Sequence, residues 1–421
     1  MPDIPMPGSS SIASTTPQKS PYVVRTRTAQ TGVFRIAMNP IRYTAIAVLL
    51  AGALAAGLAT ASARAAQIET VAKQAYMIDA DTGTVLLEKN ATDPAPPSSM
   101  SKMMTIYVVF SRIKEGRLSL DDEFLVSEKA WRMGGSKMFV EVGKRIPVKD
   151  LLRGVIVQSG NDATVVLAEG ISGDEAAFAE LLNREGKRIG LKDSHFINAS
   201  GWPADGHVMS ARDLATVALR TIREFPELYK IYAETNFTWH GIRQGNRNPL
   251  LYMNMGADGL KTGHAEAAGF GLTASAKRGD RRLILVLNGM KSMRERAQES
   301  ARLMDWGFRE FANYALYKKG DTVETATVWL GTDATVPLVL DHDLTITLPR
   351  RARRDAKVTV ALTQPVPAPI AAGKEIGTLR IAVPDAKTIE IPLKAGKSVE
   401  QLGFMGRIKA AIGYLLWGST K

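Results

Sequence analysis

A hydroxyl and an amine stand three residues apart in Ser99-Met100-Ser101-Lys102. That spacing puts both groups on one face of a helix, one turn from each other. Burial disfavours the charged form of a lysine, and a lysine held neutral can take a proton from serine. The four residues therefore have the makings of a nucleophile and its general base. The same spacing recurs at Ser111-Arg112-Ile113-Lys114, so the pattern alone is weak. Context separates the two. Pro96 and Pro97 end an extended segment, and Ser98 or Ser99 can cap the helix after it. Met103 to Phe110 is apolar nearly all round, which predicts a helix running through the core. Ser99 is expected at the partly positive start of that helix, and Ser111 to Lys114 at its solvated end. Ser99 and Lys102 are the candidate pair.

Two further stretches carry groups that such a pair would need. In Gln158-Ser159-Gly160-Asn161-Asp162, Ser159 could shuttle a proton and Asn161 could hydrogen-bond a substrate amide. Taken alone, the stretch also reads as an ordinary helix-capping loop of turn formers. In Asp258-Gly259-Leu260-Lys261-Thr262-Gly263-His264, Lys261 offers a cation, Thr262 a hydroxyl and Gly263 a close backbone approach to a bound acyl chain. Alone, that stretch reads equally as an edge strand carrying a lysine against aggregation.

The elements that must position these groups emerge from the patterning. Gln74 to Ala80 and Thr84 to Glu88 are β-rich runs around Asp81-Thr82-Gly83, a hairpin. Helical patterns fill much of the interval from Val148 to Glu234, and further strands are predicted at Gly269 to Ala276 and Arg282 to Leu287, joined through Arg278-Gly279-Asp280. Strands at both ends with helices between imply an antiparallel sheet completed from distant parts of the chain. At about Lys318 the composition shifts to short Val/Thr/Leu/Ile runs between Pro, Gly and Asp: Thr325 to Leu330, Leu344 to Leu348, Lys357 to Leu362, Thr378 to Val383 and Thr388 to Ile391. This predicts a small all-β sandwich over 319–396 with a spacer or partner-binding role. In the last segment, 397–421, Phe404, Met405, Ile408, Ile412, Leu415 and Leu416 fall within an arc of roughly 120° at helical spacing. That predicts an amphipathic helix lying on a membrane surface, with Arg407 and Lys409 toward anionic lipid, and too short to span a bilayer.

The 421 residues suffice for two or three domains, and 45% apolar with 23% charged residues is a globular composition. The chain has no cysteine, so disulfides, thiolate metal sites and cysteine nucleophiles are excluded. Its five histidines show no ligand spacing, and no metal or organic cofactor is expected. A net charge of +12 favours anionic surfaces, but no basic stripe interleaved with aromatics appears, so nucleic acid is not an expected partner. Residues 1–37, rich in Pro, Ser and Thr, are expected to be a disordered extension, or a start-site artefact given Met38. The uncharged run from Tyr43 to Ala63, ending in Ala61-Ser62-Ala63-Arg64-Ala65, predicts a signal peptide over 38–65. The alternative is a transmembrane anchor; the Ala/Gly richness and small-residue ending favour cleavage.

The order SxxK, SxN, KTG resembles the serine penicillin-recognising enzymes, the β-lactamases and penicillin-binding proteins. The resemblance narrows on Gly135-Ser136-Lys137-Met138-Phe139, Ser159-Gly160-Asn161-Asp162-Ala163, Asn246-Arg247-Asn248, Asp258 to His264 and Asp305-Trp306-Gly307-Phe308. These look like the low-molecular-mass penicillin-binding proteins, the serine-type D-alanyl-D-alanine carboxypeptidases, and the likeness runs over nearly the whole chain after the signal segment. It implies an α+β fold: a transpeptidase-like domain over 66–318 with an antiparallel sheet and a helical cluster. It implies Ser99 as acylated nucleophile, Lys102 as base, Ser159 and Asn161 on the opposite wall, and Lys261 for positive potential and proton transfer. Thr262, Gly263 and His264 would line the substrate strand, with the N–H groups of Ser99 and His264 as the oxyanion hole. Arg296 matches the family's arginine for the terminal carboxylate, with Arg294 as its neighbouring rival. Ala265-Glu266-Ala267 departs from the family's Glu-Glu pair after this motif. The implied activity is removal of the last D-alanine from peptidoglycan stem peptides, with β-lactams as acylating mimics, in an exported, periplasmic protein peripheral on the inner membrane. The rival activities are a D,D-endopeptidase, a β-lactamase and a non-catalytic peptidoglycan-binding module.

Overall fold

The computed structural model describes residues 68–383 and 388–417; the N-terminal extension and signal segment expected over 1–65 lie outside the described residues. The chain divides into two compact units, one running to Tyr314 and including Ile346–Arg351, the other comprising Ala315–Thr345 and the chain from Ala352 onward. The change of unit comes a few residues before the composition shift, and a short segment of the later chain returns to the first unit.

The first unit is built on a five-stranded sheet. Its strands are β1 (Gln74–Asp79), β2 (Val85–Lys89), β3 (Ala257–Ala265), β4 (Gly269–Arg278) and β5 (Arg281–Met290). The spatial order is β2-β1-β5-β4-β3, every neighbour antiparallel. The sheet is thus completed from the two ends of the unit, as the strand pattern predicts. Side chains alternate between faces along a strand, and β5 uses both. Ile284 and Val286 enter the larger core with Met103, Tyr107 and Phe110. Leu283, Leu285 and Leu287 pack on the other side with Leu303, Met304 and Phe308 of the helix Met293–Glu310. A strand apolar on both faces needs cover on both, which is why its pattern is continuous rather than alternating.

The helix Lys102–Lys114 is buried at every position from Lys102 to Phe110, so it threads the larger core. Helices Val148–Ile156, Asn161–Ser172, Glu175–Arg188 and Ala211–Glu224 enclose it, with Phe225 edge-on to both Tyr107 and Phe110. Several helix starts carry side-chain caps: Ser127, Asp174, Ser210 and Ser292 each accept a backbone N–H three residues on. The start of the central helix differs from expectation. Ser98–Ser101 form a separate 3₁₀ turn in which no serine caps, and Lys102 is the first α-helical residue. The hydroxyl of Ser99 is therefore not spent on a backbone amide.

The second unit contains a six-stranded sheet in the order Lys357–Ala361, Glu375–Ala382, Ile389–Ala395, Thr335–Val339, Thr322–Trp329, Val366–Pro367. Thr335–Val339 is not among the predicted strands, and it carries Pro337, a residue type that interior strands ordinarily exclude. It is tolerated because pairing toward Ile389–Ala395 covers only Leu338 and Val339, while the Pro337 carbonyl accepts from Gly396 N at 2.8 Å. The terminal helix is Phe404–Trp417. Phe404 and Met405 are 70% and 75% exposed, and Ile408 and Ile412 are exposed beside them; Leu415 and Leu416 lie beyond the described side chains. Among the described residues no helix is long and apolar enough to cross a membrane.

A buried ion pair ties the β1–β2 turn to β5. The Asp79 carboxylate, fully buried, accepts from Arg281 Nε at 2.7 Å and from Asp81 N and Thr82 N. Arg281 also donates to the carbonyls of Gly307 and Phe311. Arg281→Met should destabilise this unit by about 3–5 kcal/mol, since it strands a buried charge. Arg309→Met, which breaks an exposed pair with Glu310, should cost less than about 1 kcal/mol. Denaturant unfolding of both variants reads the difference.

Candidate active site

Ser99 sits at the edge of the core, half-buried, on the 3₁₀ turn, with the Lys102 amine one turn below it. Lys102 Nζ lies 2.8 Å from Ser99 Oγ, 2.7 Å from Asn161 Oδ1 and 2.6 Å from the Ser200 carbonyl. Among the described residues no carboxylate touches it. Burial, reinforced by the nearby Arg247 charge, lowers its pKa from 10.5 to about 7, against a partial upward pull from Asp162. Asn161 Nδ2 donates to Gly134 O at 2.8 Å, which fixes the amide so that its oxygen faces the lysine. The geometry then sets the amine's orientation. Asn161 Oδ1 and Ser200 O can only accept, so a neutral amine gives them its two hydrogens and turns its lone pair to the Ser99 hydroxyl.

Ser159 is held on the opposite wall in a left-handed conformation, φ 61°. Its Oγ accepts from Lys261 Nζ at 2.9 Å. Lys261 is on β3 at the sheet edge, where the protective-lysine reading would place it in water; instead it is 3% exposed. Burial first, then the charges of Lys102, Arg247 and Arg296, depress its pKa well below the ordinary value. Thr262 beside it is buried. Gly263 is where the strand meets the nucleophile turn: a Cβ there would stand 2.7 Å from Pro97 O and 3.3 Å from Ser98 Cβ. His264 is exposed, its ring stacked on Phe270 at 4.0 Å between centroids.

Of the two rival arginines, Arg296 is buried and Arg294 exposed. The Arg296 guanidinium lies 5.9 Å from the Phe270 ring centre, donates one bond to Arg247 O at 3.3 Å, and leaves Nε without a partner. Burial and the adjacent Arg247 lower its pKa to about 10. Lys102, Ser99, Asn161, Ser159 and Lys261 are thus drawn together through two hydrogen-bonded lysines, with Arg296 close enough to bear on the charge of Lys261. The second SxxK is elsewhere: Ser111 Oγ bonds Glu115, and Lys114 Nζ donates to Glu224 O.

Three participants carry no role in the sequence reading. The Ser200 carbonyl leaves no mark in a side-chain pattern. Arg247, quoted only as part of a motif, bonds Ser136 Oγ through its guanidinium. Its place is set by Asn246 and Asn248, whose amides bond the carbonyls of Glu234 and Gly259. Asp162, in a stretch that reads as a capping loop, instead receives the N–H groups of Met138, Phe139 and Val140, pinning the wall that carries Asn161. Among the described residues no acidic or histidine cluster could hold a metal ion.

Gly263→Ala should push β3 away from the nucleophile turn. A misplacement of about 1 Å costs roughly 10²-fold in rate, so penicillin labelling of Ser99 should slow by about that factor. The thermal midpoint should move much less, and time-resolved labelling beside a melting curve separates the two effects.

With this geometry in place, the family relationships are direct. Residues 59–292 match the family model described as D-alanyl-D-alanine carboxypeptidase, and residues 311–401 the model described as penicillin-binding protein 5, C-terminal domain. The chain is 38% identical over 346 residues to D-alanyl-D-alanine carboxypeptidase DacA of Escherichia coli K12, covering 80% of this chain and 86% of that one. It is 34% identical to DacF of Bacillus subtilis, covering 83% and 91%. The crystal structure of penicillin-binding protein 5 from Haemophilus influenzae superposes with a TM-score of 0.72 at 36% identity, covering 79% of this chain and 99% of that one. DacD from Francisella tularensis does so with a TM-score of 0.73 at 32% identity, covering 83% and 98%. The chain therefore belongs to the serine D-alanyl-D-alanine carboxypeptidase family, with a C-terminal domain of the penicillin-binding protein 5 type.

Proposed function

We propose that this protein is a serine D,D-carboxypeptidase that removes the terminal D-alanine from peptidoglycan stem pentapeptides and is acylated by β-lactams. The observation that carries the reading is the buried, carboxylate-free amine of Lys102, 2.8 Å from Ser99 Oγ and with a pKa of about 7. The neutral amine takes the Ser99 proton as Oγ attacks the penultimate D-alanine carbonyl. The Ser159–Lys261 pair then delivers a proton to the departing D-alanine nitrogen, and water hydrolyses the ester left on Ser99. Arg296, with an unpartnered Nε, receives the substrate carboxylate, and its charge is the complement a C-terminal carboxylate needs. Backbone N–H groups at Ser99 and His264 serve the developing oxyanion.

The β-lactamase alternative needs a free deacylating glutamate. Of the two candidates between the second and third motifs, Glu169 and Glu175, Glu175 is engaged by Lys129 and by Ala199 N, and neither stands in an ExxLN-like setting, which supports the slow-deacylating reading. The protein is exported and works at the outer face of the inner membrane, held there by the terminal helix. The exposure of Phe404, Met405, Ile408 and Ile412 on one side of that helix supports a surface-lying anchor.

Ser99→Ala should abolish covalent labelling by a fluorescent penicillin, whereas Ser111→Ala should leave it intact; labelling that survives Ser99→Ala sinks the assignment. In the wild type the base is active only when deprotonated. Acylation should therefore fall about tenfold per pH unit below pH ~7 and level off above it, as a stopped-flow pH series reads. Separately, deleting residues 403–421 should move the protein from the membrane to the soluble fraction with its activity on small peptides unchanged. Continued sedimentation with membranes counts against the anchor.

A further inference from the structure

Beneath the nucleophile turn lies a second buried pair that the acylation steps do not use. Ser101 Oγ, fully buried, is 2.8 Å from Nε2 of His207, which is 3% exposed. The other ring nitrogen, Nδ1, receives two backbone N–H groups, Ile197 at 3.2 Å and Asn198 at 3.4 Å. A nitrogen facing two donors must present a lone pair, so the proton is on Nε2 and is donated to Ser101. Burial, with smaller contributions from the charges of His195 and Lys102, lowers the imidazole pKa to about 4, and the ring stays neutral at working pH. Phe196 closes the pocket edge-on at 5.9 Å.

The loop that His207 grips continues to the base. Asn198 Oδ1 collects the N–H groups of Ser200 at 3.1 Å, Gly201 at 2.8 Å and Trp202 at 3.1 Å. Thr105 Oγ donates to Ala199 O at 2.7 Å. Gly201 has φ +74°, and a Cβ on it would stand 1.9 Å from Ser98 O, so the loop is pressed against the nucleophile turn. The outcome of this bracing is the position of one atom, the Ser200 carbonyl oxygen, 2.6 Å from Lys102 Nζ.

We propose that His207 is a positioning residue for the general base: as its Nε2–H tautomer it bridges Ser101 to the 197–202 loop and thereby holds the Ser200 carbonyl that turns the Lys102 lone pair toward Ser99. The bridge starts and ends in the same motif, since Ser101 and Lys102 are adjacent. It fixes the loop relative to the residue it must orient. The inference rests on the acyl-enzyme reading, because only that reading makes the direction of the Lys102 lone pair matter.

The test is the pH dependence of acylation by a penicillin. The Ser200 carbonyl accepts from the ammonium form, so losing it favours the neutral amine and moves the acid limb down. The other groups that set that limb, Asp162, Arg247 and Lys261, are untouched. His207→Phe keeps an aromatic ring but neither bonds Ser101 nor accepts from the loop. It should shift the limb down by about one pH unit, the effect of one lost hydrogen bond to a charged group. The plateau rate should fall about tenfold, because the neutral amine is misaimed. His207→Gln, which can donate and accept at opposite ends, should restore both values toward wild type. A role in stability alone would lower the thermal midpoint and leave the limb in place. An unshifted limb in His207→Phe overturns the proposal, and so does His207→Gln behaving like Phe. Should the Phe variant not fold, Ser101→Ala, which deletes only the acceptor of the Nε2–H bond, carries the same prediction and the same refutation. A wild-type protein that is never acylated overturns the carboxypeptidase reading, and this inference with it.

Discussion

The structure depends on one buried amine that has hydrogen-bond acceptors but no counter-ion. Lys102 lies in the core with Ser99, Asn161 and Ser200 around its Nζ. A salt bridge there would hold it charged and useless as a base. Dipolar acceptors satisfy its hydrogens without restoring the ammonium. Each surrounding element is placed by that requirement: the apolar helix that buries the stem, the Asp162-braced wall that supplies Asn161, and the loop that supplies a carbonyl. Asp162 is near enough to pull the lysine toward its charged form, yet its oxygens are occupied by four backbone amides.

The cationic surroundings serve two ends with one set of charges. Burial is the first cause that depresses both lysines; Arg247 adds to it at Lys102, and Lys102, Arg247 and Arg296 add to it at Lys261. The same positive potential is the complement of a carboxylate-ended peptide. The charges that attract an anion thus add to burial in favouring the neutral form of the cleft's own amines.

Much of this was legible in the sequence, and the gaps have physical causes. The apolar run Met103 to Phe110 marked the buried helix because burial on all sides leaves no polar face. The hairpin and the paired strands after Gly269 could be read from β-rich runs and the turn residues between them. Ser159, Asn161 and Lys261 were ambiguous singly and informative in order, since a capping loop and an edge strand use the same residue types. The absence of a cap at Ser98 or Ser99 was invisible, because a serine at a helix start reads as a cap whatever its hydroxyl does. Ser200 contributes only its carbonyl, and any residue type has one.

The sheet order has a consequence for how the chain comes together. The first hairpin pairs through β1 with β5, Gln74 opposite Asn288, so its inner edge has no partner until some two hundred further residues have emerged. Contacts that distant close slowly, and an open edge invites wrong pairing meanwhile. Ser99 and Lys102 are made early, yet Lys261 and Arg296 arrive at the end of the same unit. The proposed nucleophile therefore meets the full set of groups around it only after the last strand of the sheet has emerged.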